Sequence, residues 1–400
     1  MLLGAIFARG GATAEVADTA LLQAMLDVEA AHARACAGAG LVPQHAADAI
    51  AGAAVAERFD AGALAAEAAR HATPVIGVVA ALKDAAGAEA APWVHRGLTS
   101  QDVMDTALML VARRALGPLL ADAYEAADAA ALLAGTHRAT LILGRTLMQP
   151  ALPASFGLKA AGWLAALDAA RAELARVRDE ALALQLGGAV GDRAALAAWA
   201  GDAHRAATIA TAVAADLGLA DPVLPWHGDR TRPATLASGL GVLAGAAAKV
   251  AKDIILLAQG EVAEVREGDA GDGGARGGSS AMAHKRNPVA AISAAACAAR
   301  VPGLVATMLS VMDGEHERAA GAWQAEWETL RALLRSTGAA VAWLRDLLER
   351  VEVDVARMEE NLAAVLGDAA TAEARAAALA AAGPLVDRAL AAHSAARGEV

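Results

Sequence analysis

The stretch ATLASGLGVLAGAAAKVAKDIILLAQGEVAEVRE, Ala234–Glu267, leads into a segment with six glycines between Gly268 and Gly278, and then into GGSSAMAHKRNP, Gly277–Pro288. In the first part Leu236, Leu240, Leu243, Val250, Ile254 and Leu257 recur at helical spacing, which predicts a long helix with one apolar stripe. In the second, glycine lets the backbone close over a ligand. Two hydroxyls follow, and Lys285, Arg286 and Asn287 suit carboxylate or phosphate oxygens. Pro288 can open a further helix. A long helix, an anion-closing loop and a second helix point to an all-α chain.

The remaining sequence extends that pattern. Hydrophobic residues make up 57% of the 400 residues, mostly alanine, with 20% charged and one Tyr. Alanine and leucine are strong helix formers, so nearly all of the chain should be helix with close contacts through small side chains. Long helices are expected from Asp102 to about Thr136, Ser155 to about Leu186, Ala234 to Glu267, Pro288 to about Met312 and Ala322 to about Glu349, which suggests a bundle. A shorter helix over 18–39 ends at Gly40 and Pro43. The segment Gly87–Gly97, with Pro92 and Trp93, breaks the pattern. The expected domains are therefore 1–94, N-terminal and helical; 95–350, the long-helix bundle; and 351–400, a short helical C-terminal domain. Arg145, Thr146, Gln149, Pro150 and Pro153 are expected in a turn.

The net charge is −11 and the charges are scattered, which argues against nucleic acid as a partner. A small anionic substrate is still compatible, because local clusters set the field in a cleft. Cys36 and Cys297 give neither metal-ligand spacing nor a disulfide framework, which points to the reduced cytoplasm. Met1–Gly11 is apolar only as far as Ala8, too short for a signal peptide. The uncharged run between Arg232 and Lys249 is shorter than a membrane span requires, so no membrane association is expected.

Three segments are unusually polar for so apolar a chain: His95-Arg96-Gly97-Leu98-Thr99-Ser100-Gln101-Asp102, Gly144-Arg145-Thr146-Leu147-Met148-Gln149-Pro150-Ala151-Leu152-Pro153, and the glycine loop. Thr99 and Asp102 have the spacing of a capping box, and alone these hydroxyls need only satisfy orphan backbone donors. Together the segments resemble the conserved regions of the fumarase/aspartase superfamily, H-x-G-x-T-S-x-D, G-R-T-H-x-Q-x-x-x-P and G-S-S-x-M-P-x-K-x-N-P. The resemblance implies a three-domain all-α subunit whose bundle of five long helices builds the core of a homotetramer. Each active site would be shared between subunits, and neither cofactor nor metal would be needed. It also implies that His95, Thr99 and Ser100 bind a substrate carboxylate at a helix N-terminus, where the dipole favours an anion. Ser279 would carry the proton, and Lys285 would stabilise the charge that develops. Gln149, Ser280, Met282, Arg286, Asn287 and Arg318 would bind substrate. Arg276, Arg145 and Arg9 are further candidate cations, of which Arg145 and Arg9 also read as structural ion pairs.

The departures are informative. Ala283 stands where the pattern has its first proline, which predicts a more mobile loop. Leu147 stands at the histidine of the second region, and Ile292 stands at the glutamate seven residues after the signature lysine with which that histidine pairs. Amine and hydroxide are poor leaving groups and need such an acid. A carboxylate, whose acid has a pKa of about 4, needs none, and in reverse it can add to a conjugated double bond without a general base. The aliphatic pair therefore fits lactonisation of a muconate better than release of an amine. The segments Asp313–Trp327, Phe156–Trp163 and Pro225–His227 resemble the lactonising branch of the superfamily. The expected substrate is a small tricarboxylate, 3-carboxy-cis,cis-muconate, closed to 4-carboxymuconolactone in protocatechuate catabolism. An adenylosuccinate-type lyase releasing fumarate, and a non-catalytic helical scaffold, are the alternatives.

Overall fold

The computed structural model describes residues 4–269 and 276–398. Gly271, Gly273 and Gly274 of the glycine run, and the first three residues of the N-terminal segment, lie outside the described residues. After short helical turns at Gly4–Phe7 and Ala12–Glu15, α1 (Asp18–Gly38), α2 (Gln44–Ala53), α3 (Ala61–His71) and α4 (Val75–Ala86) form the N-terminal part. Helix α5 (Ser100–Thr136) leads to β1 (Leu141–Thr146), β2 (Gln149–Ser155), α6 (Phe156–Glu180) and α7 (Ala203–Leu217). The chain continues through α8 (Thr231–Leu257), β3 (Val265–Glu267), α9 (Val289–Ala299), α10 (Val301–Ser310) and α11 (Ala322–Leu348). It closes with β4 (Val351–Val353), α12 (Val355–Leu366) and α13 (Ala372–Gly398).

Helices α5, α6, α8, α9 and α11 pack side by side as the bundle, with α13 against α6. One continuous core runs through them. Alanines such as Ala107, Ala112, Ala123, Ala127 and Ala130 are fully buried along α5 and let neighbouring backbones approach. Leu116, Leu164, Leu167, Leu240 and Leu344 fill the space between.

Three expectations need correction. The segment around Arg145 is a β-hairpin rather than a turn, with Thr146 paired to Gln149 and Leu141 to Ser155. The third long helix stops at Leu257, and Val265–Glu267 instead pairs antiparallel with Val351–Val353. The fourth long helix is two, because Arg300 caps α9 and Pro302 sits in the first turn of α10, where its missing N–H costs nothing. Together α9 and α10 span Val289–Ser310, the described run apolar enough by length and composition to cross a membrane, yet α9 packs between α8 and α11.

A buried ion cluster ties three of the bundle helices at one end. Arg230, just before α8, donates to Asp105 of α5 at 2.8 and 3.1 Å and to Glu326 of α11 at 2.8 Å. The side chains are 7%, 0% and 2% exposed. The Trp323 indole N–H and the Gln101 amide also donate to Asp105, at 2.9 and 3.1 Å. Substituting Arg230→Met strands two buried carboxylates and should lower stability by about 3–5 kcal/mol, read from urea unfolding. A loss under about 1 kcal/mol would mean that the cluster contributes no more than a surface pair.

Candidate active site

The N-terminus of α5 carries the first polar segment. Asp102 accepts the Thr99 N–H at 2.9 Å, closing the expected cap, and accepts Gly187 and Gly188 N–H at 2.7 and 3.0 Å. Burial pushes the Asp102 carboxyl up to about 6, against the pull of those backbone donors. Over this end lies Arg318, whose Nε donates to Gln101 Oε1 at 3.0 Å and whose Nη2 donates to the Thr99 hydroxyl at 2.9 Å. The Arg318 guanidinium thus lies at the positive end of a 37-residue helix whose first turn also carries the buried Asp102. The arrangement therefore suits a carboxylate between Arg318 and the first-turn N–H groups. His95, with φ of 63°, lines a cavity of about 290 Å³ with Ser100 and Lys83. His227, absent from the expected set, is buried in the same region, and its Nδ1 accepts the Gln185 amide at 3.0 Å.

The glycine loop is built at the other end of the bundle. Gly277, at φ of 74°, brings its carbonyl to the Asn287 N–H at 2.8 Å and to the Asn287 side-chain amide at 3.1 Å. A Cβ on Gly277 would sit 2.2 Å from the Asn287 carbonyl oxygen. Asn287 thus has one amide hydrogen bond committed to closing the loop. The Ser279 hydroxyl accepts the Ala281 and Met282 N–H at 3.3 and 3.2 Å, two donors that would stabilise negative charge on that oxygen. Ser280, Met282, Lys285 and Arg286 are exposed, and none of the ion pairs among the described residues involves Lys285 or Arg286. Glu267 accepts the Ala290 N–H at 2.9 Å, capping α9, and pairs with Arg276 at 3.4 Å.

The other candidate cations are spoken for. Arg276 also meets Asp346 at 2.5 Å, Arg145 is bidentate to the buried Glu264 at 2.9 and 2.8 Å, and Arg9 pairs with Asp346 at 3.4 Å while lying over Trp343. Arg145 and Arg9 are the structural pairs their sequence context allowed. Gln149 is on the exposed face of the hairpin, beyond a two-residue turn in which Leu147 and Met148 have φ of 51° and 64°. Leu147 is 95% exposed.

One chain does not assemble these parts. Helix α5, about 55 Å long from its 37 residues, separates His95, Thr99, Ser100 and Arg318 from the hairpin that carries Gln149. Helix α8, about 40 Å long from 27 residues, runs the same way, from Arg230 beside Asp105 to the segment where Glu264 meets Arg145. The hairpin and the Ser279 loop thus share one end of the bundle, and the carboxylate cradle at Thr99 occupies the opposite one.

A helical bundle with an anion cradle at one end and a serine–lysine loop at the other defines a lyase of the fumarase/aspartase type. Residues 10–303 match the family described as lyase, and the chain belongs to that family. It is 46% identical to a 3-carboxy-cis,cis-muconate cycloisomerase of Bradyrhizobium diazoefficiens over 92% of this chain and 80% of that one. It is 44% identical to a nitrosuccinate lyase of Streptomyces davaonensis over 90% and 76% of the two chains. Its fold matches the crystal structure of the 3-carboxy-cis,cis-muconate lactonizing enzyme from Pseudomonas putida with a TM-score of 0.88 at 37% identity, covering 98% and 99%.

Gly277→Ala would force the Asn287 backbone away and open the loop. Turnover should fall by about 100-fold or more, the cost of displaced catalytic groups, while circular dichroism shows unchanged helix. Activity within a factor of about two would mean that the Gly277–Asn287 closure is dispensable.

Proposed function

We propose that the protein is an intramolecular lyase that closes 3-carboxy-cis,cis-muconate to 4-carboxymuconolactone in protocatechuate catabolism. The observation that carries the reading is the aliphatic pair Leu147 and Ile292, where amine-releasing members place an acid and its partner. The relatives of similar identity support it over the adenylosuccinate-type alternative, and the intact Ser279, Lys285 and Asn287 weigh against a scaffold.

In the reaction one substrate carboxylate oxygen attacks the conjugated double bond. The new C–O bond forms as the π pair moves onto the carboxylate across the diene. Lys285 and Asn287 hold that aci-carboxylate, with Arg286, Ser280 and Met282 at its rim. Ser279 then delivers its proton to the α-carbon and is reprotonated from solvent. Its two backbone donors lower the cost of the intervening alkoxide. His95, Thr99, Ser100 and Arg318 take a second carboxylate, and Gln149 approaches from the hairpin. No acid is needed for a leaving group, because none leaves.

The two ends of the bundle are too far apart for one chain to complete this site. We therefore propose a homotetramer in which the Thr99 cradle, the Gln149 hairpin and the Ser279 loop meet from different subunits, in the cytoplasm, without cofactor. The exposed Leu147, Met148 and Leu152 would be covered there. The bundle of 95–350 would form the core, with 1–94 and 351–400 as flanking helical domains. A second reading is favoured by the nitrosuccinate lyase relative: elimination of nitrite, which is also a weak base and needs no acid.

Purified enzyme should remove the diene absorbance of 3-carboxymuconate, and Ser279→Ala should slow this by about 10²–10⁴-fold without dissociating the tetramer. Nitrite release from nitrosuccinate, with no diene loss, would replace the first reading by the second. Turnover that survives in the Ser279→Ala variant would remove Ser279 from the proton-carrying role.

A further inference from the structure

Glu29 lies in the middle of α1 and is 1% exposed. Its Oε2 accepts the His95 backbone N–H at 3.0 Å, and its Oε1 accepts the His95 Nδ1–H at 2.5 Å. Among the described residues no Lys or Arg pairs with it; the His95 ring is the side chain that hydrogen-bonds it. His95 itself is a non-glycine residue in the left-handed region, at φ of 63°, a conformation that persists only where its surroundings hold it. A single carboxylate thus fixes both the strained backbone and the ring tautomer. A buried ionic pair contributes little net stability, so the fold itself does not call for a glutamate in this apolar helix.

With Nδ1 committed to Glu29, Nε2 is the free nitrogen, and it has no protein partner among the described residues. The ring lines the cavity of about 290 Å³ with Ser100, the first residue of α5, Lys83 and an apolar wall from Val75, Ile76 and Val79. We infer that Glu29 is a positioning residue for substrate binding: it presents His95 Nε2 to a carboxylate seated at the N-terminus of α5. In the occupied state the ring bridges two carboxylates, Glu29 on Nδ1 and the ligand on Nε2, and this requires hydrogen on both nitrogens. Ligand binding from neutral imidazole is therefore accompanied by uptake of one proton from solvent, which ends on His95. This rests on the site reading above, for the place of the carboxylate, and not on the identity of the reaction.

Other charged groups face the ring. They are His32 of α1, whose Nε2 contacts the Arg96 carbonyl at 2.9 Å; Asp102 of α5; and Lys83 of α4, while the Arg96 guanidinium lies over Trp93 and Trp199. Burial holds His32 below the ordinary imidazole range, and Asp102 titrates at about 6. Of these groups, His95 is the one whose open ring nitrogen lines the cavity, so the proton is assigned to it.

The test is calorimetric titration of tricarballylate into the whole enzyme at about pH 8, in two buffers of different ionisation enthalpy. Wild type should take up about one proton per site, because one imidazole changes state. Glu29→Gln, which still accepts the His95 backbone N–H, should take up none and bind about 10-fold more weakly, as for loss of a partner that orients a ligating histidine. His95→Asn, which leaves the carboxylate an amide to pair with, should lose the proton uptake equally and keeps the test available if Glu29→Gln does not fold. Absence of proton uptake by wild type, absence of binding, or wild-type uptake in either variant overturns the inference. Failure to turn over 3-carboxymuconate with the uptake intact would instead overturn the proposed reaction alone.

Discussion

The Arg230 guanidinium, shared between Asp105 and Glu326, sets the geometry at the N-terminal end of α5. It locks α8 and α11 against the second turn of α5. The same Asp105 orients Trp323 and Gln101, and Gln101 in turn accepts from Arg318. Arg318 is thereby held over Thr99 although the helix dipole opposes a cation there. One turn earlier, Asp102 binds the Gly187–Gly188 backbone and closes the cap of α5. The position of Arg318 over the N-terminus of α5 is thus set by buried carboxylates.

Rigid helices then impose a division of labour. Because α5 and α8 run the length of the bundle, the residues proposed to bind one part of the substrate sit tens of ångströms from the serine proposed to move its proton. At the far end, Glu267, Gly277 and Asn287 shape the serine loop by the same means, a carboxylate capping a helix and a glycine allowing a close backbone approach. Each end carries exposed cations or hydroxyls, and under the proposed tetramer another copy of the chain would bring the two sets together.

Much of this was legible in the sequence. Alanine- and leucine-rich periodicity gave α5, α6, α8 and α11 within a few residues at most ends, because their apolar stripes are long. The hairpin was not legible: Pro150 and Pro153 lie within β2, where a turn is the simpler reading, and Leu147 and Met148 occupy left-handed turn positions that favour glycine or asparagine. Val265–Glu267 continues a helical pattern, and only its partner Val351–Val353 makes it a strand. Arg300 breaks the fourth helix through a local cap that periodicity does not register. The motifs single out the candidate hydroxyls and cations, while nothing in the sequence singles out Glu29 or Gln101, whose hydrogen-bond partners lie 66 and 217 residues away.

The chemistry turns on a single proton delivered to carbon with no leaving group to assist. Turnover of 3-carboxymuconate in D₂O, followed by proton NMR, measures that directly. A lactone carrying a single deuteron on the carbon next to the carboxylate, and none elsewhere, is the result required if Ser279 supplies the one proton. Loss of the substrate's α-hydrogen, with release of an unsaturated diacid and no lactone, would contradict it.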